Sequence, residues 1–362
     1  MRALQVGTNM AGDVEAVEEI MRRGGPTLRE RMARMETHLE GVAAEAGVPL
    51  ASHATATVLA GGKRLRPLLV VLAAEAAGIP RGPSAEPPLQ ESKPTDGSSP
   101  EPEREQALVR AAVAVELVHS ATLVHDDLID GALLRRGRPT IAAVAGRQPA
   151  IATGDLLFSR AFAELARNGD PEQLRALSDA SSALAAGELL QREDAYASDI
   201  TVERYLERCR LKTAALFEAA CRLGALVAVR GTPALAVALG EFAERIGLAF
   251  QLLDDVLDVS GPAQRTGKAR GTDLLDGTVT LPLILARQRD PLIAAVDLAS
   301  LEGPEDAEAL CERIAATGAL EQARDQALSI VAEAKASLPA SLPDGRHDLL
   351  DLVADAVVER YC

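Results

Sequence analysis

The sequence predicts an all-α protein, and three observations support this prediction. Alanine and leucine dominate a chain in which 48% of the 362 residues are hydrophobic and only 2% are aromatic. Stretches such as 107–118 and 183–191 carry apolar residues at helical spacing. Runs of β-branched residues bounded by turn residues are few, so strands are not indicated. We therefore expect a large helical bundle.

Composition also excludes several classes of protein. The net charge of −15 and the pI of about 4.9 argue against a nucleic-acid partner. No apolar run is long enough to predict a membrane span, and residues 1–19 lack the pattern of a secretory signal. The four cysteines have no metal-site spacing, so we expect reduced thiols and a cytoplasmic protein; they are Cys209, Cys221, Cys311 and Cys362.

Turn and capping residues indicate the first elements. Residues 1 to about 25 are expected to form a loosely held tail before the main domain of residues 26–362. Pro26 suits the first turn of a helix and Gly47 suits its end, which predicts a helix over 26–46. Pro67 likewise predicts a helix over 68–77.

Residues 81–105 differ in composition from the rest of the chain. Proline, serine, glutamate and glycine crowd this stretch, and such a segment buries too little apolar surface to order itself. We expect a low-complexity surface loop between two helices. A partner-binding segment is the alternative.

A long helix is predicted over 107–130, and three aspartates lie at its end: Asp126, Asp127 and Asp130. Because residues four apart share a helix face, Asp126 and Asp130 should point into one space. Carboxylates that close repel each other and need a cation. Mg²⁺ prefers oxygen ligands and completes its shell with water and substrate phosphates. This pattern suggests a diphosphate held through a metal, with a solvated acidic helix end as the alternative.

The same spacing recurs in Asp254, Asp255 and Asp258, again after an apolar helical run. One such motif should occur by chance in roughly one chain in ten, and two in well under one in a hundred. The repetition therefore favours the metal hypothesis.

Basic residues between and after these motifs could bind an anion. Lys63, Arg64 and Arg66 follow two glycines near a predicted helix N-terminus, which makes a ready anion site, although an exposed basic turn is the alternative. Arginine pairs suit bidentate binding of a diphosphate. Further candidate segments are Arg135-Arg136, Gly154-Asp155 at the start of a helix over 156–166, Lys212-Thr213 within a helix, and the Gly-rich basic loop 264–273.

Taken in order, these motifs resemble those of the trans-isoprenyl diphosphate synthases, the polyprenyl synthetase family. The resemblance extends from about residue 26 to residue 361. It implies an isoprenoid-synthase-type helical bundle around a central cavity, assembled as a homodimer. The implied activity is a Mg²⁺-dependent prenyltransferase that condenses isopentenyl diphosphate with an allylic diphosphate primer to make all-trans polyprenyl diphosphates.

The resemblance also implies individual roles. The isopentenyl diphosphate site matches Lys63, Arg66, His119 and Arg136. The allylic diphosphate site matches Arg135, Lys212, Thr213, Gln251 and Lys268. About three Mg²⁺ ions are implied, with ligands at Asp126, Asp130, Asp254 and Asp258. The residues expected to be catalytic are Asp126, Asp130, Lys212 and Asp254.

Two features depart from the family pattern. Many relatives carry lysine where Thr278 stands, and segment 81–105 is longer than the usual loop. The implied reaction needs no side-chain base, because the released diphosphate takes the proton. His125 is accordingly expected to make a structural hydrogen bond. For His119, the resemblance favours a substrate role over that of a core histidine.

Product length should depend on the wall below the first motif. Ala121 and Thr122 precede Asp126 by about one turn, where relatives with fifteen-carbon products carry aromatic residues. An open tunnel and a long-chain product are expected, although Phe158 or Phe162 could close the tunnel sooner. The alternatives are a short-chain (geranylgeranyl or farnesyl) synthase, a class I terpene cyclase and a non-catalytic subunit of a heteromeric synthase. The isopentenyl site argues against a cyclase, and the intact aspartates argue against a non-catalytic subunit.

Overall fold

The computed structural model describes residues 11–45, 47, 50–79, 101–135, 137–228, 233–261 and 270–359. Within these ranges the chain is almost entirely helical, which confirms the all-α prediction. The described strands are β1 (Leu134–Arg135) and β2 (Arg138–Pro139), which pair antiparallel as a short ribbon.

The described helices follow one another along the chain with short connections. They are α1 (Ala11–Ala44), α2 (Leu50–Leu59), α3 (Leu65–Ala77), α4 (Glu101–Ile129), α5 (Ile141–Ala145), α6 (Arg147–Ala166), α7 (Pro171–Glu193), α8 (Val202–Cys209), a π-helical turn (Arg210–Ala214), α9 (Ala215–Val227), α10 (Pro233–Ser260), α11 (Thr272–Leu275), α12 (Leu281–Arg289), α13 (Pro291–Ala294), a 3₁₀ turn (Leu298–Ser300), α14 (Pro304–Ala315), α15 (Ala319–Ala336) and α16 (Asp344–Glu359).

Helix α4 lies at the centre of the bundle. It packs against α1, α3, α6 and α9, and every residue from 111 to 118 is buried. Alanine and valine fill most of these positions, and small side chains let the helices approach closely. Among the helices that the structure describes, α4 alone is long and apolar enough to cross a bilayer, and most of it is buried within the bundle.

The N-terminal part is helical where the sequence predicted a tail. Helix α1 begins at Ala11 and breaks at Gly25, whose φ of 79° lies in the left-handed region that favours glycine. A second helical segment then runs from Pro26, as predicted, to Ala44. Ile20 is fully buried, so this part of the expected tail packs on the body. Residues 1–10 lie outside the described residues.

Helix α4 begins at Glu101, six positions before its predicted start at 107. The last part of the predicted 81–105 loop is thus helical. A buried ion-pair network explains the difference: Arg31 is only 2% exposed and pairs with both Glu75 and Glu105. Residues 80–100, which include the rest of that loop, lie outside the described residues.

Helix α6 also begins earlier than predicted, at Arg147 and not at 156. Gly154 is therefore an interior residue of the helix and not part of its start. An added Cβ at Gly154 would lie 2.8 Å from Cε1 of His125 and closer still to its Nε2. The glycine is thus explained by close packing against α4.

Candidate active site

The two aspartate motifs occupy the C-terminal ends of α4 and α10, and both divide their carboxylates in the same way. The middle aspartates, Asp127 and Asp255, are 7% and 5% exposed. The outer aspartates are more exposed in each motif: Asp126, Asp130, Asp254 and Asp258. This division agrees with the helical spacing, which places residues four apart on one face.

Each middle aspartate is held by the protein. Asp127 accepts a hydrogen bond of 2.6 Å from Nε of Arg135. Asp255 accepts hydrogen bonds of 2.7 Å from the Tyr205 hydroxyl and from Nε2 of Gln251. Burial raises the pKa of Asp255 to about 7, although these hydrogen bonds oppose the rise. The middle carboxylates therefore anchor the ends of the two helices.

The first motif has the electrostatic character of a cation site. Burial raises the pKa of Asp126 to about 6, and the charges of Glu188 and Asp130 raise it further, whereas Lys212 and Arg135 lower it. A divalent cation beside these oxygens would stabilise the ionised carboxylate, so the donor set fits Mg²⁺. Within the described ranges, no three acidic, histidine or cysteine side chains form a closed metal cage. Water and substrate oxygens would have to complete the coordination.

A line of alternating charges connects Asp130 to Lys212. Arg192 forms an ion pair with Asp130 and donates a hydrogen bond of 3.1 Å to Oε1 of Glu188. Nζ of Lys212 lies 2.5 Å from Oε2 of the same glutamate. Lys212 was predicted at the site, but no role was predicted for Arg192 or Glu188. Their separation of four residues on α7 was the available signal.

Thr213 and Gln251, both matched to the allylic site, are bonded to each other. The Thr213 hydroxyl donates a hydrogen bond of 2.7 Å to Oε1 of Gln251, whose amide in turn binds Asp255. The structure thus joins the predicted Lys212-Thr213 segment to the second aspartate motif. Tyr205 completes this network, and sequence reasoning missed it.

Arg66 presents a cationic group with little competition from the protein. Its guanidinium lies over the ring of Phe217, 4.6 Å from the centroid, and its buried Nε has no hydrogen-bond partner. Burial lowers the pKa of Arg66 to about 10, while the charges of Glu116 and Asp254 oppose this. An anion bound here would supply the missing acceptor.

Arg64 does not join the anion cluster that the sequence suggested. It donates hydrogen bonds of 2.6 Å to Glu36 and Glu116 and of 2.8 Å to the carbonyl of Val58. Its backbone is left-handed, with φ 49°, at the N-terminus of α3. This conformation directs the side chain inward between two carboxylates, so Arg64 fixes the glycine-rich turn in place.

The remaining predicted residues are distributed as follows. Lys63 lies partly buried in the turn before α3, and His119 lies on α4, where its carbonyl accepts a hydrogen bond of 2.8 Å from the Thr122 hydroxyl. Ala121 is fully buried, whereas Thr122 is partly exposed. Thr278 directly follows Gly277 after α11. Arg136 and Lys268 lie outside the described residues.

His125 has the surroundings of a structural residue. Its ring stacks on Phe158 at a centroid distance of 5.9 Å, and its Nε2 lies 3.5 Å from Oδ1 of Asp155. The Nε2 atom is also 3.4 Å from the carbonyl of Ile151. These contacts join α4 to α6 beside the first motif.

Comparison with known proteins identifies the family. The family model described as polyprenyl synthetase matches residues 48–315. Heptaprenyl diphosphate synthase component 2 of Geobacillus stearothermophilus is 38% identical over 278 residues, 77% of this chain and 78% of the relative. A short chain isoprenyl diphosphate synthase of Methanothermobacter thermautotrophicus is 34% identical over 310 residues, 84% of this chain and 88% of the relative.

A solved structure has the same fold over almost the whole length. The polyprenyl synthase from Caulobacter crescentus, complexed with calcium and isoprenyl diphosphate, aligns with a TM-score of 0.76 and 31% identity. The alignment covers 99% of this chain and 100% of that chain. The chain therefore belongs to the polyprenyl synthetase family and is a prenyl diphosphate synthase, an all-α prenyltransferase.

Proposed function

We propose that this prenyltransferase is a Mg²⁺-dependent synthase that condenses isopentenyl diphosphate with an allylic primer to make long-chain, all-trans polyprenyl diphosphates. The supporting observation is the division of labour in both aspartate motifs. The middle carboxylates are hydrogen-bonded within the protein, while the outer ones are more exposed. About three Mg²⁺ ions would be held by Asp126, Asp130, Asp254 and Asp258.

The cationic side chains would stabilise charge on the leaving group. Mg²⁺, when bound, adds positive charge at the diphosphate oxygens. Lys212 and Arg135 already act on Asp126, since both lower its pKa, so their charges reach the same region. As the allylic carbon–oxygen bond breaks, its electron pair goes to the diphosphate, and these cations stabilise the product anion.

Condensation would follow at a second diphosphate site. Arg66 has a buried Nε without a partner, and we propose that it binds isopentenyl diphosphate together with Lys63, His119 and Arg136. The double bond of isopentenyl diphosphate attacks the allylic cation and forms the new carbon–carbon bond. Loss of a proton to the released diphosphate restores a double bond.

A long-chain product is supported by small residues near the first motif. Thr122 lies on the same face of α4 as Asp126 and is partly exposed, and neither it nor Ala121 is bulky. The relative named heptaprenyl diphosphate synthase component 2 agrees with a long product. A short-chain synthase is the second candidate, because the archaeal relative is named for short chains.

We further propose a cytoplasmic homodimer. Apolar side chains near the β-ribbon are well exposed, with Leu133 at 71%, Leu134 at 64% and Val144 at 64%, and a partner copy could cover them. The three described cysteines are free and buried, which suits a reducing compartment. A heteromeric assembly is the alternative, since one relative is named as a component.

The decisive experiment is incubation with labelled isopentenyl diphosphate, an allylic primer and Mg²⁺. Dephosphorylated products are then separated by chain length, and the same mixture with a chelator is the control. We expect a ladder that extends to long chains. A ladder that stops at short products would support the short-chain synthase, a cyclic hydrocarbon a cyclase, and no product from the protein alone a partner subunit.

A further inference from the structure

Lys212 and Thr213 lie in a local break of helical register. Helices α8 and α9 and the π-helical turn between them run continuously from Val202 to Val227. The π turn, Arg210–Ala214, holds both residues. A π turn inserts extra backbone into a helix and changes the directions of the side chains within it. The cause of the turn should therefore bear on what these side chains can reach.

Two glycines contact the π turn from opposite neighbouring helices. An added Cβ at Gly187 on α7 would lie 2.8 Å from Cα of Lys212 and closer still to its backbone nitrogen. An added Cβ at Gly247 on α10 would lie 2.8 Å from Cα of Ala214 and 3.0 Å from Cβ of Phe217. The nearest atoms in both cases are backbone atoms, which cannot turn aside as a flexible side chain can.

The same two helices carry the partners of the π-turn side chains. Glu188, which directly follows Gly187, lies 2.5 Å from Nζ of Lys212. Gln251, one turn after Gly247 on α10, accepts the hydrogen bond of Thr213. Close approach at each glycine thus brings a π-turn residue to its partner, and the charge of Lys212 acts on Asp126.

We propose that Gly187 and Gly247 are positioning residues for the allylic diphosphate. By admitting the π turn between α7 and α10, they direct Lys212 towards the first aspartate motif and Thr213 towards Gln251. This inference rests on the proposed function, in which Lys212 and Thr213 serve the allylic diphosphate. The isopentenyl site around Arg66 lies on α3 and does not depend on the π turn. The two substrates should therefore respond differently when a glycine is replaced.

The test uses Gly187→Ala and Gly247→Ala with two matched glycine controls. Gly240→Ala lies on α10 like Gly247, but its Cβ would meet Cγ of Arg222 at 2.7 Å, a flexible side chain. Gly224→Ala is crowded by backbone, with the carbonyl carbon of Val70 at 2.9 Å and its oxygen nearer, but it lies beyond the π turn. It reports the effect of tight packing alone.

Steady-state kinetics would give kcat and the two KM values, and calorimetry would give the affinity for the allylic primer alone in Mg²⁺. For Gly187→Ala and Gly247→Ala we expect KM and Kd of the allylic substrate to rise about tenfold and the KM of isopentenyl diphosphate to change less than about twofold. Gly240→Ala should resemble wild type. Gly224→Ala should lower the melting temperature without separating the two KM values.

A double-mutant cycle with Lys212→Ala tests whether the glycine acts through the lysine. The effects of Gly187→Ala and Lys212→Ala on allylic affinity should then be much less than additive. If Gly187→Ala does not fold, deletion of Leu211, which removes one residue from the π turn, provides the second variant. The deletion should retain helical circular dichroism and make Lys212→Ala silent.

The inference is overturned if both KM values change in parallel, as with Gly224→Ala, or if the cycle is additive. Additivity in the Leu211 deletion background would overturn it equally. These outcomes leave the proposed function intact as long as the wild type elongates its primer. If the wild type makes no prenyl diphosphate, the proposed function itself fails.

Discussion

Arg192 pairs with Asp130, the residue that we propose as a metal ligand at the end of α4. Both side chains are well exposed, at 40% and 42%, so the pair should contribute no more than about 1 kcal/mol to stability. A divalent cation could therefore displace the guanidinium. Arg192 is then an internal competitor for the cation.

We expect Arg192→Gln to bind the divalent cation more tightly, by about two- to fivefold, because a competing positive charge is removed from Asp130. Titration with Mn²⁺, followed by electron paramagnetic resonance of the free ion, measures this affinity. Arg175→Gln is the control, since Arg175 forms an exposed ion pair with Glu172 on the same helix. Equal affinity in all three proteins would show that Arg192 does not compete.

Asp126→Ala and Asp254→Ala should each lower kcat by several orders of magnitude and leave the helical circular dichroism unchanged. The lost carboxylates serve charge that develops on the leaving group, so their removal affects the transition state. Asp179→Ala, which removes an exposed carboxylate from α7, should retain full turnover. Near-normal turnover in Mg²⁺ by either motif variant contradicts the metal-bridge mechanism.

Tyr205→Phe should lower the free energy of unfolding by about 1–3 kcal/mol, because the buried Asp255 loses one of its two side-chain donors. Urea unfolding monitored by circular dichroism gives this value. Tyr196→Phe is the matched control, since Tyr196 is 46% exposed. If the two variants lose equal stability, the hydroxyl of Tyr205 does not anchor the second motif.

Thr122→Phe should shorten the product ladder at little cost in stability, because Thr122 shares the face of Asp126 and is partly exposed. Ala121→Phe should also shorten it. It should cost about 1–3 kcal/mol more, because Ala121 is fully buried and its neighbours must move. Both ladders are compared with that of the wild type. Unchanged ladders in both variants would show that the growing chain does not pass this part of α4.

Local pattern was sufficient to predict the main helices and the position of the acidic motifs. Pro26 and Pro67 indicated first helical turns, and both lie in such turns. The spacing of four residues predicted that outer aspartates would share a face, and the burial of Asp127 and Asp255 agrees. These features depend on residues within one or two turns of each other.

Sequence pattern failed where partners are distant in the chain. Arg64 looked like part of an anion site, but its partners Glu36 and Glu116 lie 28 and 52 residues away. Arg192 pairs with a residue 62 positions earlier. The π turn likewise depends on two other helices, so no local propensity could indicate it.

The buried tyrosine of the second motif also supplies an optical signal. The chain has no tryptophan and three tyrosines, and Tyr205 alone among the described tyrosines is fully buried, with its ring held by the bond to Asp255. Near-ultraviolet circular dichroism arises from aromatic rings in fixed, asymmetric surroundings. The unlabelled enzyme thus contains its own chromophore beside Asp254, and ligand binding at the second motif becomes observable without a dye or an engineered probe.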